Sequence, residues 1–440
     1  MNIGIIGAGA AGLAAAYDLV KKGYRPTVYE ASPRIGGQAS TFDVGGGRLE
    51  RGYHHLFTSD TYMIDLIDEL GLGPKLAWIQ SKVGFYHKGK IYDFVTPRDL
   101  LKFSPISLVD RIRLGLVSLY LRRTRNWHKF ENVTASEWIK KWAGRRNYEV
   151  VWGPLLRGKF GDSAEEIGMV WFWGKIYIRF ASRGRGLQKE KLGYPMGSFG
   201  EVFEILAEQI RKKGGEVHLS TPVTRIKVAN GKAVGLEVKG PDGAATSREF
   251  DLIISTTPSY LFPKLVPELP EDYVQKLCQM KYHAAVLVIL VLKHPLSHIY
   301  WLNLSDYDIP FLAVIEQTNF VDKSLYGGKH VVYLSNYLGK ENPMYSMTQD
   351  QLLAEYVPHL KQINPQFEPS WIEEYHYHRE EAAQPIVTTN YSSKIPEHRT
   401  PIKGLYLANT TQIYPEDRGT NYSVRLGQQI SRLVLEDAGP

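Results

Sequence analysis

The turn Gly7-Ala8-Gly9-Ala10-Ala11-Gly12 constrains this chain more than any other stretch. Asn2 to Ile6 is a short apolar run, long enough for one buried strand. Leu13 to Lys22 reads as a helix closed by Gly23, and Pro26 to Tyr29 as a second strand ending at Glu30. The glycines therefore sit at the first bend of a β-α-β unit, in the G-x-G-x-x-G spacing. Gly7 permits the tight turn, Gly9 admits a pyrophosphate to the backbone, and Gly12 lets helix and strand pack closely. The positive end of the helix dipole then faces the phosphate charge. Glu30 lies eighteen residues beyond Gly12, where a carboxylate can accept bonds from a ribose. Strand, helix, second strand and acid occur in order, so a dinucleotide is expected.

Arg34-Ile35-Gly36-Gly37 follows that acid, and a nicotinamide site has no need of it. The pattern E-x-x-x-R-x-G-G after this fingerprint resembles the flavoprotein superfamily of amine oxidases, protoporphyrinogen oxidases, phytoene-type desaturases and UDP-galactopyranose mutases. The resemblance implies non-covalent FAD. It places Arg34 near the pyrophosphate and Gly36-Gly37 near the flavin end.

At 440 residues, two domains are expected. Hydrophobic content of 43% and charged content of 22% suit a globular protein. No apolar run reaches the length of a transmembrane span. Met1 leads straight into the first strand, with no signal or transit segment, so a cytoplasmic location is expected. Cys278 is the only cysteine. That excludes intramolecular disulfides and cysteine zinc sites, fits a reducing compartment, and argues against a flavin–cysteine bond. The net charge of +7 is spread along the chain with no nucleic-acid motif, so no nucleic-acid partner is expected. Anionic substrates, a membrane surface or solubility account for it as well.

Arg48 to Phe57 reads as a strand leading to a Ser59-Asp60 helix cap. Tyr53-His54-His55 lies within it, and alternation would turn only one histidine toward a flavin. Val83 to Phe94 reads as a hairpin at Lys88-Gly89. Residues 97–180 look helical, with capping-box starts at Ser107/Asp110, Thr134/Glu137 and Ser163/Glu166. The first opens a helix whose apolar face holds Val109, Ile112, Leu116, Leu119 and Tyr120, amid five arginines. The expectation is that this face packs on the substrate domain and the arginines are solvated. Peripheral membrane contact through 107–125 is the alternative, since protoporphyrinogen oxidases and desaturases carry a membrane-touching helical region. Trp152–Phe160 and Trp171–Phe180 are aromatic-rich; they form core or line a large, partly apolar pocket. Arg157 and Lys159 could meet an anionic group there.

Pro195 to Pro258 returns to dinucleotide-domain grammar. Ser198 and Glu201 read as a capping box, followed by strands at 216–220 and 251–255 and a hairpin at Asn230-Gly231. This order resembles the superfamily's second FAD segment, which implies that Val223 meets the adenine. Residues 260–395 alternate strands with short helices and suggest a mixed sheet. His376 and His378 share a strand face, but no further ligands have fitting spacing, so no metal is expected. Gly404 to Asn409 resembles the last FAD segment, with Asn409-Thr410 where many relatives have Gly-Asp. Asp417-Arg418-Gly419-Thr420-Asn421 then opens the final helix, whose N-terminus would stabilise charge on a reduced flavin.

The expected fold is α/β: a discontinuous Rossmann-like FAD-binding domain (1–82, 190–260 and 395–440) and an α+β substrate domain with a mixed sheet and a helical subdomain (83–189 and 261–394). The resemblance implies cofactor contacts from Gly7, Gly9, Ala10, Ala11, Gly12, Glu30, Ala31, Arg34, Gly36, Gly37, Val223, Asn409, Thr410, Thr420, Asn421 and Tyr422. His54, His55 and Arg418 are the candidate catalytic residues. The expected activity is hydride transfer from a small organic molecule, anionic or partly apolar, to the flavin. A non-redox nucleotide-sugar mutase and a flavin-binding protein without catalysis are the alternatives.

Overall fold

The computed structural model describes residues 1–181 and 190–439. Residues 182–189, which close the 83–189 stretch, and residue 440 lie outside the described residues, as does the side chain of Phe180.

The β-α-β reading holds: Asn2–Ile6 pairs in parallel with Arg25–Tyr29, and the helix between them is Ala10–Lys21. That helix begins three residues before the expected Leu13, because Gly9 is already its N-cap. Three further parallel strands complete a five-stranded sheet in the order Glu216–His218, Arg25–Tyr29, Asn2–Ile6, Leu252–Ser255, Leu405–Leu407. Strand order reverses beside Asn2–Ile6. In open parallel sheets a ligand crevice forms at the carboxyl ends of the strands where order reverses. The Ala10–Lys21 and Thr420–Ala438 helices pack on this sheet, and both begin at that end.

A seven-stranded mixed sheet forms the second layer. Its order is Ile372–Pro385, Tyr282–Leu292, His330–Leu338, Ala313–Glu316, Trp301–Leu304, Val83–His87, Lys90–Asp93. The two expected hairpins form, with Lys88 and Gly89, and Asn230 and Gly231, all at positive φ in the turns. Helices fill residues 97–181, and their core gathers Phe160, Trp171, Phe172 and Trp173.

Four local expectations need correction. The Arg48–Phe57 strand breaks into Gly47–Glu50 and Leu56–Phe57. Between them the chain leaves the ladder, and the Tyr53 hydroxyl meets Ser335 Oγ at 3.1 Å and Tyr337 Oη at 3.3 Å on the mixed sheet. Ser163 and Glu166 lie in a 3-10 turn, Gly161–Glu166, and the next helix starts only at Met169. Ser198 caps nothing: its hydroxyl is buried without a partner, and Glu201 pairs with Lys75 at 2.6 Å. Glu50 takes its place, accepting the Phe199 N–H at 2.9 Å at the start of the Ser198–Lys212 helix. Finally, the Leu108–Arg123 helix turns its apolar face outward. Val109 is 74% exposed, Leu116 63% and Ile112 51%, while Leu114 and Leu121 supply the buried stripe. Arg111 and Arg113 are not simply solvated, since they donate to the carbonyls of Ile106, Leu101, Trp142 and Lys141.

Glu50 is 1% exposed, and its other donor is the Tyr194 hydroxyl at 2.9 Å. Burial outweighs these bonds and pushes the carboxyl up from 4.5 to about 7. The folded state thus holds this proton over a range where the unfolded chain has lost it. The stabilising contribution is complete below about pH 4.5 and is lost as pH rises through 7. Glu50→Gln keeps an acceptor for Phe199 and carries no charge. Thermal melts should show the variant gaining on the wild type between pH 5 and pH 8, by a few kcal/mol. A difference that stays constant with pH would refute the assignment.

Candidate active site

The glycine turn builds the floor of a long cleft. A Cβ on Gly12 would lie 2.0 Å from the Gly7 carbonyl oxygen, so the helix can sit this close only without a side chain there. A Cβ on Gly9 would meet nothing nearer than Gly37 Cα at 3.8 Å, which leaves that backbone open to the cleft. Gly7, Gly9, Ala10 and Ala11 line it, opposite Thr410, Gly419 and Thr420. Two helix N-termini therefore face one cavity of about 520 Å³, each offering unpaired N–H groups and a positive dipole end. Glu30 Oε2 accepts from Ala8 N–H and Oε1 from Ser32 N–H, both at 2.8 Å, so each oxygen retains a lone pair for a hydroxyl. Val223 and Tyr29 close the same end.

These features fit an FAD molecule: a carboxylate for the ribose, an open glycine and a helix N-terminus for the pyrophosphate, and a second helix N-terminus for the ring. Of the expected contacts, Gly7, Gly9, Ala10, Ala11, Glu30, Ala31, Gly36, Gly37, Val223, Asn409, Thr410 and Thr420 line the cleft. Arg34 does not; its side chain is exposed. Gly12 acts from beneath, through packing. Asn421 and Tyr422 face a second cavity, and Asn421 Oδ1 accepts the Met63 N–H at 3.1 Å. Asn409 lines the wall, but its amide is committed: Oδ1 accepts from Thr411 N–H and Nδ2 donates to the Thr257 carbonyl. It is a structural cap rather than a substitute for an aspartate. Thr256 and Thr257 just after a strand, Gln38 in a 3-10 turn and Glu380 within the Ile372–Pro385 strand also line the cleft and were not foreseen, since no local motif marks them.

The cleft opens into a second cavity of about 270 Å³, and His54, Arg418, Gly419 and Thr420 border both. Tyr53, Phe57, Trp152, Trp171 and Trp301 wall this second space. Both histidines reach it, contrary to the strand alternation, because the chain here is not a strand. His54 Nδ1 donates to the Gly52 carbonyl at 2.6 Å, and His55 Nδ1 meets Tyr300 Oη at 2.9 Å. Burial drives their basicity down, to about 4 for His54 and about 3 for His55. Both are therefore neutral near pH 7. Arg418 donates to Tyr337 Oη at 2.8 Å and to Gln384 Oε1 at 3.3 Å. Lys159, half-foreseen, is buried in this wall. Arg157 is not; its guanidinium lies 4.0 Å from the Tyr307 ring, lining a separate pocket. Lys175 was missed, because an aromatic helix hid its inward direction. His376 and His378 pack edge-on against Phe42, at 4.8 and 4.6 Å between centroids. Cys278 is exposed and does not line either cavity. Among the described residues no helix is long and apolar enough to cross a membrane.

A 15-cis-phytoene desaturase of Synechococcus elongatus is 25% identical over 292 residues, 61% of this chain and 60% of the relative's length. Among solved structures, an oxidoreductase from Methanosarcina mazei superposes with a TM-score of 0.76 at 20% identity, covering 98% of this chain and 99% of that one. Reduced UDP-galactopyranose mutase gives 0.77 at 16% identity, covering 99% and 95%. At such identities the structural likenesses show the fold alone. The family match runs over residues 10–415, from the first turn of the glycine helix to the approach to the last one, and this chain belongs to the flavin-containing amine oxidoreductase family, with FAD as its cofactor.

Proposed function

We propose that the protein is an FAD-dependent oxidoreductase that removes a hydride from an organic molecule held in the aromatic cavity. One observation carries this reading: the cofactor cleft ends in a walled second cavity that shares His54, Arg418, Gly419 and Thr420 with it. Bound FAD supplies the hydride acceptor. The chain's own part is to bind, orient and exclude water. Trp301 and Tyr53 pack edge to face at 4.9 Å and hold one wall rigid. The Thr420 helix N-terminus offers donors where negative charge grows on reduction. Arg418, half-buried and bonded to neutral partners, keeps its charge beside them. The reading rests on family and cavity; fold alone does not settle chemistry in a family this varied.

The exposed apolar face of Leu108–Arg123 supports a working location. Leu108, Val109, Ile112, Leu116, Leu119 and Tyr120 stand out together, beside exposed Leu101 and Trp142. Exposed Arg98, Lys102, Arg122, Arg123, Arg125 and Lys141 surround this face. An apolar stripe edged by cations suits the interface of an anionic bilayer. The protein would then rest on the membrane rather than cross it.

Three measurements test these readings. Anaerobic titration with amines, amino acids, polyprenoids and porphyrinogens should find a compound that bleaches the oxidised flavin spectrum. If none does, and a UDP-sugar alone perturbs the reduced spectrum, the mutase alternative replaces this one. Gly9→Val should fold yet lose FAD by about tenfold or more in affinity, because its side chain fills the open approach. Gly12→Ala should lower the melting temperature as well, since its Cβ meets backbone; equal effects would contradict the division of roles. Vesicles containing phosphatidylglycerol should carry the protein down on centrifugation, and phosphatidylcholine vesicles should not. The double substitution Ile112→Glu with Leu116→Glu should abolish that; undiminished binding would disprove the surface.

A further inference from the structure

Asp417 lies buried in the wall of the aromatic cavity and is saturated with donors. Its Oδ1 accepts from Trp171 Nε1 at 2.9 Å and Gln384 Nε2 at 3.2 Å. Its Oδ2 is shared by two ammonium groups, Lys159 Nζ at 3.1 Å and Lys175 Nζ at 2.5 Å. One carboxylate balances one of these charges. Each ammonium has three N–H donors, and Asp417 takes one from each. Arg179 and Arg418 also line this cavity, Arg418 bonded to neutral Tyr337 and Gln384. The remaining carboxyl on this cavity, Asp60, accepts the Phe57 N–H, and burial pushes it up to about 6. Among the described residues the lining therefore carries more cations than carboxylates, in a space walled largely by aromatic rings.

Such an excess is costly where hydration is restricted, and the Lys159 side chain is only 12% exposed, while that of Lys175, at 36%, keeps part of its contact with solvent. The lysines register that cost: enclosure draws both down, Lys175 to about 8, against the pull of Asp417. Both ammonium groups nevertheless converge on one buried carboxylate in the cavity wall. An incoming anion would fill the unused donors and restore balance, and the low-dielectric walls would strengthen that attraction. Phe57, Trp152, Trp171 and Trp301 offer ring faces for the rest of such a molecule, and the Trp301 indole N–H is already given to Asn303 Oδ1 at 3.1 Å.

We propose that Lys159 and Lys175, drawn together by Asp417, form the anchoring subsite for a carboxylate or phosphate group on the substrate, whose apolar body lies along the aromatic walls. This rests on the oxidoreductase reading for the word substrate, but anion binding itself needs no turnover. Asp417 serves as the positioning residue that points both ammonium groups into the cavity.

The test uses flavin-loaded protein, calorimetry and the visible flavin spectrum. The probes are 3-phenylpropionate, phenyl phosphate and the uncharged 3-phenylpropanamide. At least one anion should bind about tenfold or more tightly than the amide, and the better of the two names the group recognised. Lys159→Gln and Lys175→Gln should each weaken the anion by about tenfold or more and leave the amide within about twofold. Lys175→Arg should restore much of the anion affinity, separating lost charge from lost fold. If the amide binds as well as both anions, or if the variants weaken all three probes alike, the subsite is disproved. A shift in flavin redox potential with unchanged anion affinity would also overturn it, assigning the lysines to the flavin's charge. Protein without flavin after adding FAD would instead defeat the cofactor reading, so the two failures are distinct.

Discussion

The close seating of two helices against each other sets the geometry on which everything else depends. Ala10–Lys21 and Thr420–Ala438 approach so nearly that a Cβ on Gly427 would lie 2.3 Å from the Ala11 carbonyl oxygen and 2.8 Å from Ala14 Cβ. Gly12 allows the matching approach of the first helix to the turn below it. With both contacts made, the two N-termini converge at the end of the parallel sheet. The unpaired N–H groups of both first turns then face one cleft. Bound FAD would be held by these helix starts, whose positive ends suit its pyrophosphate and a ring that gains charge on reduction. A side chain at Gly427 would part the two helices, and one at Gly12 would lift the first helix off its turn.

From that frame the chemistry divides along the chain. The cleft is built of backbone and small residues, with Glu30 as its carboxylate. The second cavity is built of large side chains from the helical stretch and the mixed sheet. Where they meet, the 417–420 segment is common to both. Asp417 orders the lysines of the substrate side, Arg418 and Thr420 border both spaces, and Gly419 is the N-cap of the helix. Tyr53, Ser335 and Tyr337 join the histidine segment to the mixed sheet in one hydroxyl network. That network explains why the 48–57 stretch is not a continuous strand. Its polar groups are satisfied across the interface rather than within a ladder.

The parts of the site written in local sequence were legible. The glycine turn, Glu30, Gly36-Gly37 and the start of the last helix each carry their geometry in a few adjacent residues. Hairpins at Lys88-Gly89 and Asn230-Gly231 were readable for the same reason, since left-handed backbone demands those residue types. Caps were less faithful. Thr134 and Glu137 close their box, but Ser198 loses its helix end to Glu50, a residue nearly 150 positions away. Arg34 shows the converse: it fits a family pattern and points outward. Asn409 reads as a cofactor ligand and is consumed by its own turn.

The direction of a helix face is what periodicity alone could not decide. The spacing of Val109, Ile112, Leu116, Leu119 and Tyr120 determined an apolar stripe, and the amphipathic rule sends such a stripe inward. The tertiary structure sends it out, because Leu114 and Leu121 on the other side already meet the core clusters around Phe103 and Phe130. Lys175 is the opposite case, a charge within an aromatic helix that packing turns inward onto Asp417. The sequence by itself determined the dinucleotide turn and the strands, since those depend on neighbours a few residues apart. Only the fold decided where the charges of the substrate cavity stand, because Lys159, Lys175 and Asp417 become neighbours solely when helices from the middle of the chain close on the start of its last helix.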